Sequence, residues 1–445
     1  MSGVAVSGCR INRKAFGRKS TSLLLLCSLS TTACLAASDR PATASPNANA
    51  CATLAGMKVE SGEVNSAEPV APDVCRVRAK LRPAPSSDID VEVWLPRNWN
   101  RKLYSLGGAG FDGGLQPGSL PSFEKAAAQG YAVAATDSGH EPAASFETWV
   151  HRQPEKVVDF GHRAVHLAAV AAKQIVAAYY GSPPKHAYFV GCSNGGREAL
   201  MEASRYPDDY DGIIAGAPAM RYLEVLTQMI WFDEVVFGEH GAPTALSKLG
   251  LVNRAILNAC DGVDGAKDGI LENPLECRFD PAELRCEDEA GDECLTAAEV
   301  SAFQKIYGGP RLRSGEPVFA GPALGSEEGP AGWAGWIVPD RTVSFGQDFY
   351  RWLVFDDPDW TVESFDIDRD YPYARERIAP ILDSNDPDLR AFAKRNGKLI
   401  LYHGWYDPGR TGAHRRREAR KRSRVLAPVA PLARARPLPR LRAAE

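Results

Sequence analysis

The 445 residues are 44% hydrophobic and 24% charged, enough for one large domain with a substantial insertion or for two domains around buried cores. The net charge of −4 conceals an asymmetry: residues 408–445 hold 12 of the 52 Lys and Arg and 2 of the 56 Asp and Glu, so they carry +10 and the remainder −14. An acidic body argues against nucleic acid as the natural partner.

In chain order, Arg10, Arg13, Lys14, Arg18 and Lys19 precede the apolar run "LLLLCSLSTTACLAAS", which ends in small residues. This is the pattern of an export signal, and a cut is expected near Ala36 or Ala37. The run is too short and too polar at its end for a stable membrane span; a short N-terminal anchor or a lipid-modified Cys34 is the alternative. Residues 1–37 therefore read as a signal peptide that sends the product out of the cytoplasm, secreted or periplasmic. Residues 38–50, "SDRPATASPNANA", read as a linker.

Export makes disulfides the default for the cysteines. With Cys9, Cys27 and Cys34 in the leader, seven of the ten remain. Close neighbours in sequence pair as Cys51–Cys75, Cys260–Cys277 and Cys286–Cys294, and Cys192 is left alone.

Short β-type runs follow: "VEVWLP" at 91–96, "KLYSLGG" from 102 and "YAVAATD" from 131. A helical segment, "GHRAVHLAAVAAKQIVAAYYG", presents Val165, Ala169, Ala172 and Val176 on one face and ends at Gly181 as a C-cap. The strand, turn and helix of "AYFVGCSNGGREALMEASRYP", the strand "GIIAGAP" and, much later, "KLILYHGWYD" complete the alternation. Apolar strands alternating with helices predict an α/β fold with a covered, mostly parallel sheet. Residues 51–218 and 381–407 read as the two parts of this core. Residues 219–380, irregular and rich in Gly, Pro and aromatics, read as an inserted lid. Its Trp231, Phe232, Trp333, Trp336, Phe345, Phe349, Tyr350 and Trp352 either line a pocket for an aromatic substrate or form the lid's own core.

The chemistry centres on Gly191-Cys192-Ser193-Asn194-Gly195, a G-x-S-x-G turn between a strand and a helix. Such a turn lifts a nucleophilic serine to the top of a sheet, and the helix N-terminus with the Asn194 N–H favours an oxyanion. A tight structural turn is the alternative. "LGGAGFDGG", residues 106–114, offers a second oxyanion donor around Gly108 and Gly110. No Lys-Ser/Thr follows it at P-loop spacing, so a nucleotide site is not indicated. Asp407, closing "LILYHGWYD", stands where the acid of a triad belongs, or simply opens an Asp-Pro turn. In "CDGVDGAKDGILENPLEC", Asp261, Asp264 and Asp268 crowd a loop bounded by two cysteines. Either Ca²⁺ neutralises them or they form a solvated acidic turn; the spacing is not that of an EF-hand.

"GCSNGGREALMEASRYPDDYDGIIAGAPA", with "AATDSGH", "DFGHRAVH", "YHGWYDP" and the acidic loop, resembles the tannase and feruloyl esterase family from about Cys51 to Pro408. The resemblance implies an α/β-hydrolase core whose lid helps bind an aromatic acyl group. It implies Ser193 as nucleophile, Asp407 as acid, and structural calcium held by Asp261, Asp264 and Asp268 with the carbonyls of Ala266 and Ile270. It also implies a disulfide from Cys192 to a cysteine directly after the catalytic histidine.

The sequence departs from that pattern after Asp407. Residues 408–445 contain no aromatic, no cysteine and one histidine, and their composition resembles a GC-rich frame read out of register; a genuine basic tail is the alternative. His414 follows Asp407 too closely to reach the nucleophile, and His140, His162, His166 and His403 read as structural. The expectation is a secreted serine ester hydrolase for small aromatic or plant-polymer esters, crippled by the lack of its histidine. A non-catalytic calcium-binding protein on the same fold, or a peptidase, is the alternative. Oligomeric state is not legible.

Overall fold

The strands are β1 (Lys58–Val59), β2 (Gly62–Ala71), β3 (Val74–Leu81), β4 (Ile89–Pro96), β5 (Lys102–Leu106), β6 (Ala132–Thr136), β7 (His186–Cys192), β8 (Gly212–Gly216) and β9 (Lys398–Tyr402). They form one sheet in the order β1-β2-β3-β4-β6-β5-β7-β8-β9. This is a computed structural model, describing residues 48–407 apart from 72, 112, 114, 116–119, 142–146, 290, 330–331 and 334–344. The expected leader 1–37, the tail 408–445 with His414, Trp336 and most of the linker lie outside the described residues.

β1 to β4 pair antiparallel, as does β4 with β6, whereas β6, β5, β7, β8 and β9 run parallel. The hairpins before β4 were not anticipated, although β3 carries a period-two signal. Cys75, Val77, Ala79 and Leu81 are buried, while Arg78 and Lys80 point to carboxylates on or near β4. Cys51–Cys75 ties the start of the described chain to this strand. In the parallel half, β5 lies between β6 and β7, so the C-terminal ends of β5, β7, β8 and β9 share one edge. That edge is where open α/β sheets place ligands.

The helix Ala164–Tyr180 packs Ala164, Ala168, Ala171, Ala172 and Ile175 into the sheet core, and its small side chains allow close approach. It ends, as expected, on a left-handed Gly181. The helix Asn194–Arg205 packs against β7 and β8. On the other face, Leu120–Ala128 covers β4 and β6. A groove of about 550 Å³ beside it is lined by Tyr104, Tyr188, Val190, Ile214 and Ile400. The expected covering of both faces is thus complete only on one, among the described residues, and β9 leaves Ile400 59% exposed.

Residues 219–380, read from the sequence as a lid, contribute to two apolar clusters. One gathers Phe349, Tyr350, Trp352 and Trp360 together with Trp149, Phe160 and Leu382 from outside the expected lid boundaries, so core and lid share a packing unit. The other joins Phe232, Val252, Phe303 and Trp333. Five of the eight aromatics named as pocket candidates, Phe232, Trp333, Phe349, Tyr350 and Trp352, are buried in these clusters. No helix among the described residues is long and apolar enough to cross a membrane.

Candidate active site

Ser193 follows β7 directly and opens the helix Asn194–Arg205. Its backbone is strained, with φ 60° and ψ −118°. Non-glycine residues rarely adopt such angles, which cost about 1–3 kcal/mol and persist only where surrounding contacts impose them. Here Ser193 N–H donates to Gly216 O at 3.1 Å, and Ser193 O accepts from the amides of Arg197 and Ala219, each at 3.1 Å. Gly191 shows why the motif needs glycine: a Cβ there would meet Gly195 O at 2.1 Å.

The Asn194 side chain is buried and spoken for. Its Oδ1 accepts from Arg197 Nε at 2.6 Å, and its Nδ2 donates to Glu198 at 3.1 Å. What Asn194 presents to a reacting carbonyl is therefore its main chain, at the positive end of the helix dipole. Of the two expected loop donors, Gly108 must be corrected. Its N–H points at Glu198 Oε2, 2.9 Å away, and its carbonyl accepts from Gly195 N–H at 3.0 Å. Gly110 takes a left-handed φ of 62°, and its carbonyl accepts from the Tyr222 hydroxyl at 3.2 Å.

Arg197, fully buried, anchors the elbow helix. It donates to the carbonyls of Gly161, Phe160 and Leu382, and its guanidinium lies over the rings of Phe160 and Tyr222. The first two carbonyls belong to a π-helical turn, Asp159–Arg163, within the "DFGHRAVH" motif.

β9 ends at Tyr402, so Asp407 lies five residues past the strand rather than closing it. The β8–β9 pairing continues through Ala217 N–H to Tyr402 O at 2.8 Å, which keeps this segment beside the elbow. Asp407 Oδ2 is 3.3 Å from His403 Nε2. The other histidines considered have different partners: His140 Nε2 meets Phe111 O, His162 Nδ1 meets Tyr206 Oη, and His166 Nδ1 meets Asp209 Oδ2. Burial lowers His140 to about 4 and His162 to about 3. Cys192, next to the serine, is exposed and free, and the three expected disulfides are present.

In the acidic loop each aspartate accepts loop amides: Asp261 from Gly269, Asp264 from Ala266 and Glu272, Asp268 from Ile270. No group of three His, Cys, Asp or Glu side chains stands ready as a metal cage among the described residues. Asp261 and Asp268 each have one oxygen outside these bonds, whereas Asp264 uses both; left-handed Gly265 and Gly269 turn the chain, and Cys260–Cys277 closes it. Tyr406 Oη accepts from Leu271 N–H at 2.6 Å, connecting the loop's end to the Asp407 segment. That link had no sequence signal.

Other buried acids surround the site. Burial pushes Asp137 up to about 7 against the amides of Gly139 and Asp90, and pushes Asp383 up to about 8. Glu202, also raised, lies wholly buried near Asp209.

A family model described as "Tannase and feruloyl esterase" matches residues 75–415. An uncharacterized esterase of Xanthomonas campestris pv. campestris is 35% identical over 397 residues, covering 82% of this chain and 68% of that protein. A probable feruloyl esterase B-2 of Aspergillus flavus is 31% identical over 339 residues, covering 75% of this chain and 63% of its own length. The chain thus spans about two thirds of these relatives. The crystal structure of feruloyl esterase B from Aspergillus oryzae superposes with a TM-score of 0.74 at 25% identity, covering 85% of this chain and 78% of that one.

Proposed function

The chain belongs to the tannase and feruloyl esterase family, and from that premise we propose that it is built to hydrolyse esters of aromatic acids, hydroxycinnamic, gallic or related, through an acyl-Ser193 intermediate. The observation that carries this reading is the strained Ser193 on its strand-to-helix turn, with a glycine loop bonded against the same helix. Ser193 attacks the carbonyl as a general base takes its proton, and the Asn194 amide with an amide from the loop after Gly108 receives the oxyanion. The alcohol leaves with that proton, and water then frees the acid from acyl-Ser193. Asp407 is assigned the role of orienting the general base. None of His140, His162 and His166 is assigned that role, since each has another partner.

An aromatic acyl group suits the surroundings of the glycine loop. Phe111, within the loop, lies 5.7 Å from the Tyr222 ring and 5.6 Å from Phe345, and Phe345 is 42% exposed. Ring edges and faces at such spacing accept a further ring. Export is supported by the three disulfides. Calcium in the Asp261–Asp268 loop is proposed as a structural ion, with Ala266 and Ile270 offering carbonyls.

The test is release of ferulate and gallate from their methyl esters by the purified chain, with Ser193→Ala alongside. Serine-dependent release supports the reading; release that Ser193→Ala retains, or none from either protein, sinks it. The same assay measures the sequence-based expectation of slow turnover. Cleavage of peptides in place of aryl esters would move the assignment to a peptidase.

A further inference from the structure

The proposed mechanism uses the elbow and the glycine loop but leaves unexplained a buried acid between them. Glu198, 1% exposed, sits one helical turn beyond Asn194. Unpaired, a carboxyl so buried would be strongly destabilising, and its hydrogen-bond partners come from the elbow and the glycine loop. Oε2 accepts from Gly108 N–H at 2.9 Å, Oε1 accepts from Asn194 Nδ2 at 3.1 Å, and Arg197 Nη2 is 3.9 Å from Oε1. The Ser138 side chain lies close enough to favour its charged form. Ser138 is 1% exposed and has a left-handed φ of 59°, so the "AATDSGH" motif is strained where it meets this carboxyl. On the loop side, a Cβ at Gly107 would stand 2.9 Å from Glu198 Oε2 and 2.8 Å from Gly195 Cα, which leaves room for glycine only.

We propose that Glu198 is a positioning residue that clamps the glycine loop to the elbow helix and sets which loop amide faces the oxyanion. This rests on the esterase reading of the site. Both main-chain groups of Gly108 are held: its N–H by Glu198 and its C=O by Gly195 N–H. An amide turned toward Glu198 cannot also serve an oxyanion. The second contact therefore passes to the amides that follow, Ala109 and Gly110, at the exposed end of the loop. The same carboxyl holds the Asn194 side chain, so a single acid keeps both walls of the oxyanion site in register. Rigid donors that need no rearrangement during reaction are what such a site requires.

The experiment compares Glu198→Ala and Glu198→Gln with the unaltered chain by two readouts. The first is amide hydrogen exchange of the peptide spanning 105–111, with the helix 164–180 as internal control. The second is kcat and KM on p-nitrophenyl ferulate. Glu198→Ala should speed exchange at 105–111 at least about 10-fold while leaving 164–180 unchanged. It should lower kcat about 10- to 100-fold, less than or comparable to loss of one oxyanion donor, with KM within about 2-fold. Glu198→Gln keeps one acceptor and should recover part of both effects, and it stands in if the alanine variant does not fold. Unchanged exchange at 105–111, or a loss confined to KM, overturns the proposal. Faster loop exchange in a chain that hydrolyses no ester sinks the esterase reading and leaves the clamp standing.

Discussion

Around the elbow, backbone meets backbone. β7, the helix after it and the glycine loop approach so closely that Gly191 and Gly107 have no room for a methyl group, and buried polar groups, Arg197, Asn194 and Glu198, fill what remains. The lid is built the other way. Trp333, Phe303 and Tyr307 pack at centroid distances of 5.0 to 6.4 Å, and a second aromatic set spreads from Phe349 to Trp360. Two disulfides staple its irregular stretches. Directional contacts hold atoms to fractions of an ångström and suit chemistry. Area burial is less directional and tolerates more variation in side-chain shape.

The two regions should therefore fail differently. The largest effect on activity is expected for Ser193→Ala, which should remove whatever ester hydrolysis the chain supports without altering the melting temperature by more than a few degrees. A variant that keeps its rate would place the chemistry elsewhere. Trp333→Ala empties a fully buried site in the lid and should cost about 3–5 kcal/mol by denaturant titration. If its effect on kcat matched that of Ser193→Ala, the division between the regions would be wrong.

Opening Cys260–Cys277 by serine substitution at both positions should cost about 3 kcal/mol, since it releases a loop whose ends are 17 positions apart in sequence. Added calcium should raise the melting temperature of the unaltered chain, and Asp264→Asn should abolish that rise. No calcium-dependent shift in either protein would remove the metal from the proposal.

The pH dependence separates the regions again. His140 sits at about 4, below its ordinary 6.5, because burial disfavours its charged form. The stability it contributes is present above pH 6.5 and is lost as pH falls toward 4, by up to about 3 kcal/mol. Asp383, at the junction with the lid, is raised from 3.8 to about 8 by burial, with Glu224 adding repulsion. Its contribution is present below pH 3.8 and is lost as pH rises through 8. Asp383→Asn should thus gain melting temperature relative to the unaltered chain as pH rises from 4 to 8. A difference that shrinks over that range would contradict the sign. The smallest expected effect is that of Phe345→Ala: a rise of about 3- to 10-fold in KM for feruloyl esters, with acetyl esters unaffected.

Much of the core was legible because its signals are local. A strand, a glycine turn and a helix within 21 residues announce the elbow, and short apolar β-type runs such as "VEVWLP" and "KLILY" announce strands. Short spacing also made the disulfide pairs readable. The β1–β3 hairpins were missed although Cys75, Val77, Ala79 and Leu81 alternate, because charged residues between them dilute the apolar run. The lid aromatics could not be sorted by sequence. Phe345 beside the glycine loop and Trp333 in a core are the same kind of residue, and only packing distinguishes them.

What the sequence determined by itself was the strand, tight turn and helix around Ser193, since the G-x-S-x-G spacing admits few backbones. It also determined the α/β alternation and the pairing of neighbouring cysteines. Tertiary structure alone decided which amides of the glycine loop stay available. That outcome depends on a carboxyl 90 residues away reaching Gly108. It likewise decided that Tyr406 ties the acidic loop to the Asp407 segment across 135 residues. Hydrogen bonds between such distant positions leave no periodicity in the chain; they exist only once the sheet has brought its strand ends to one edge.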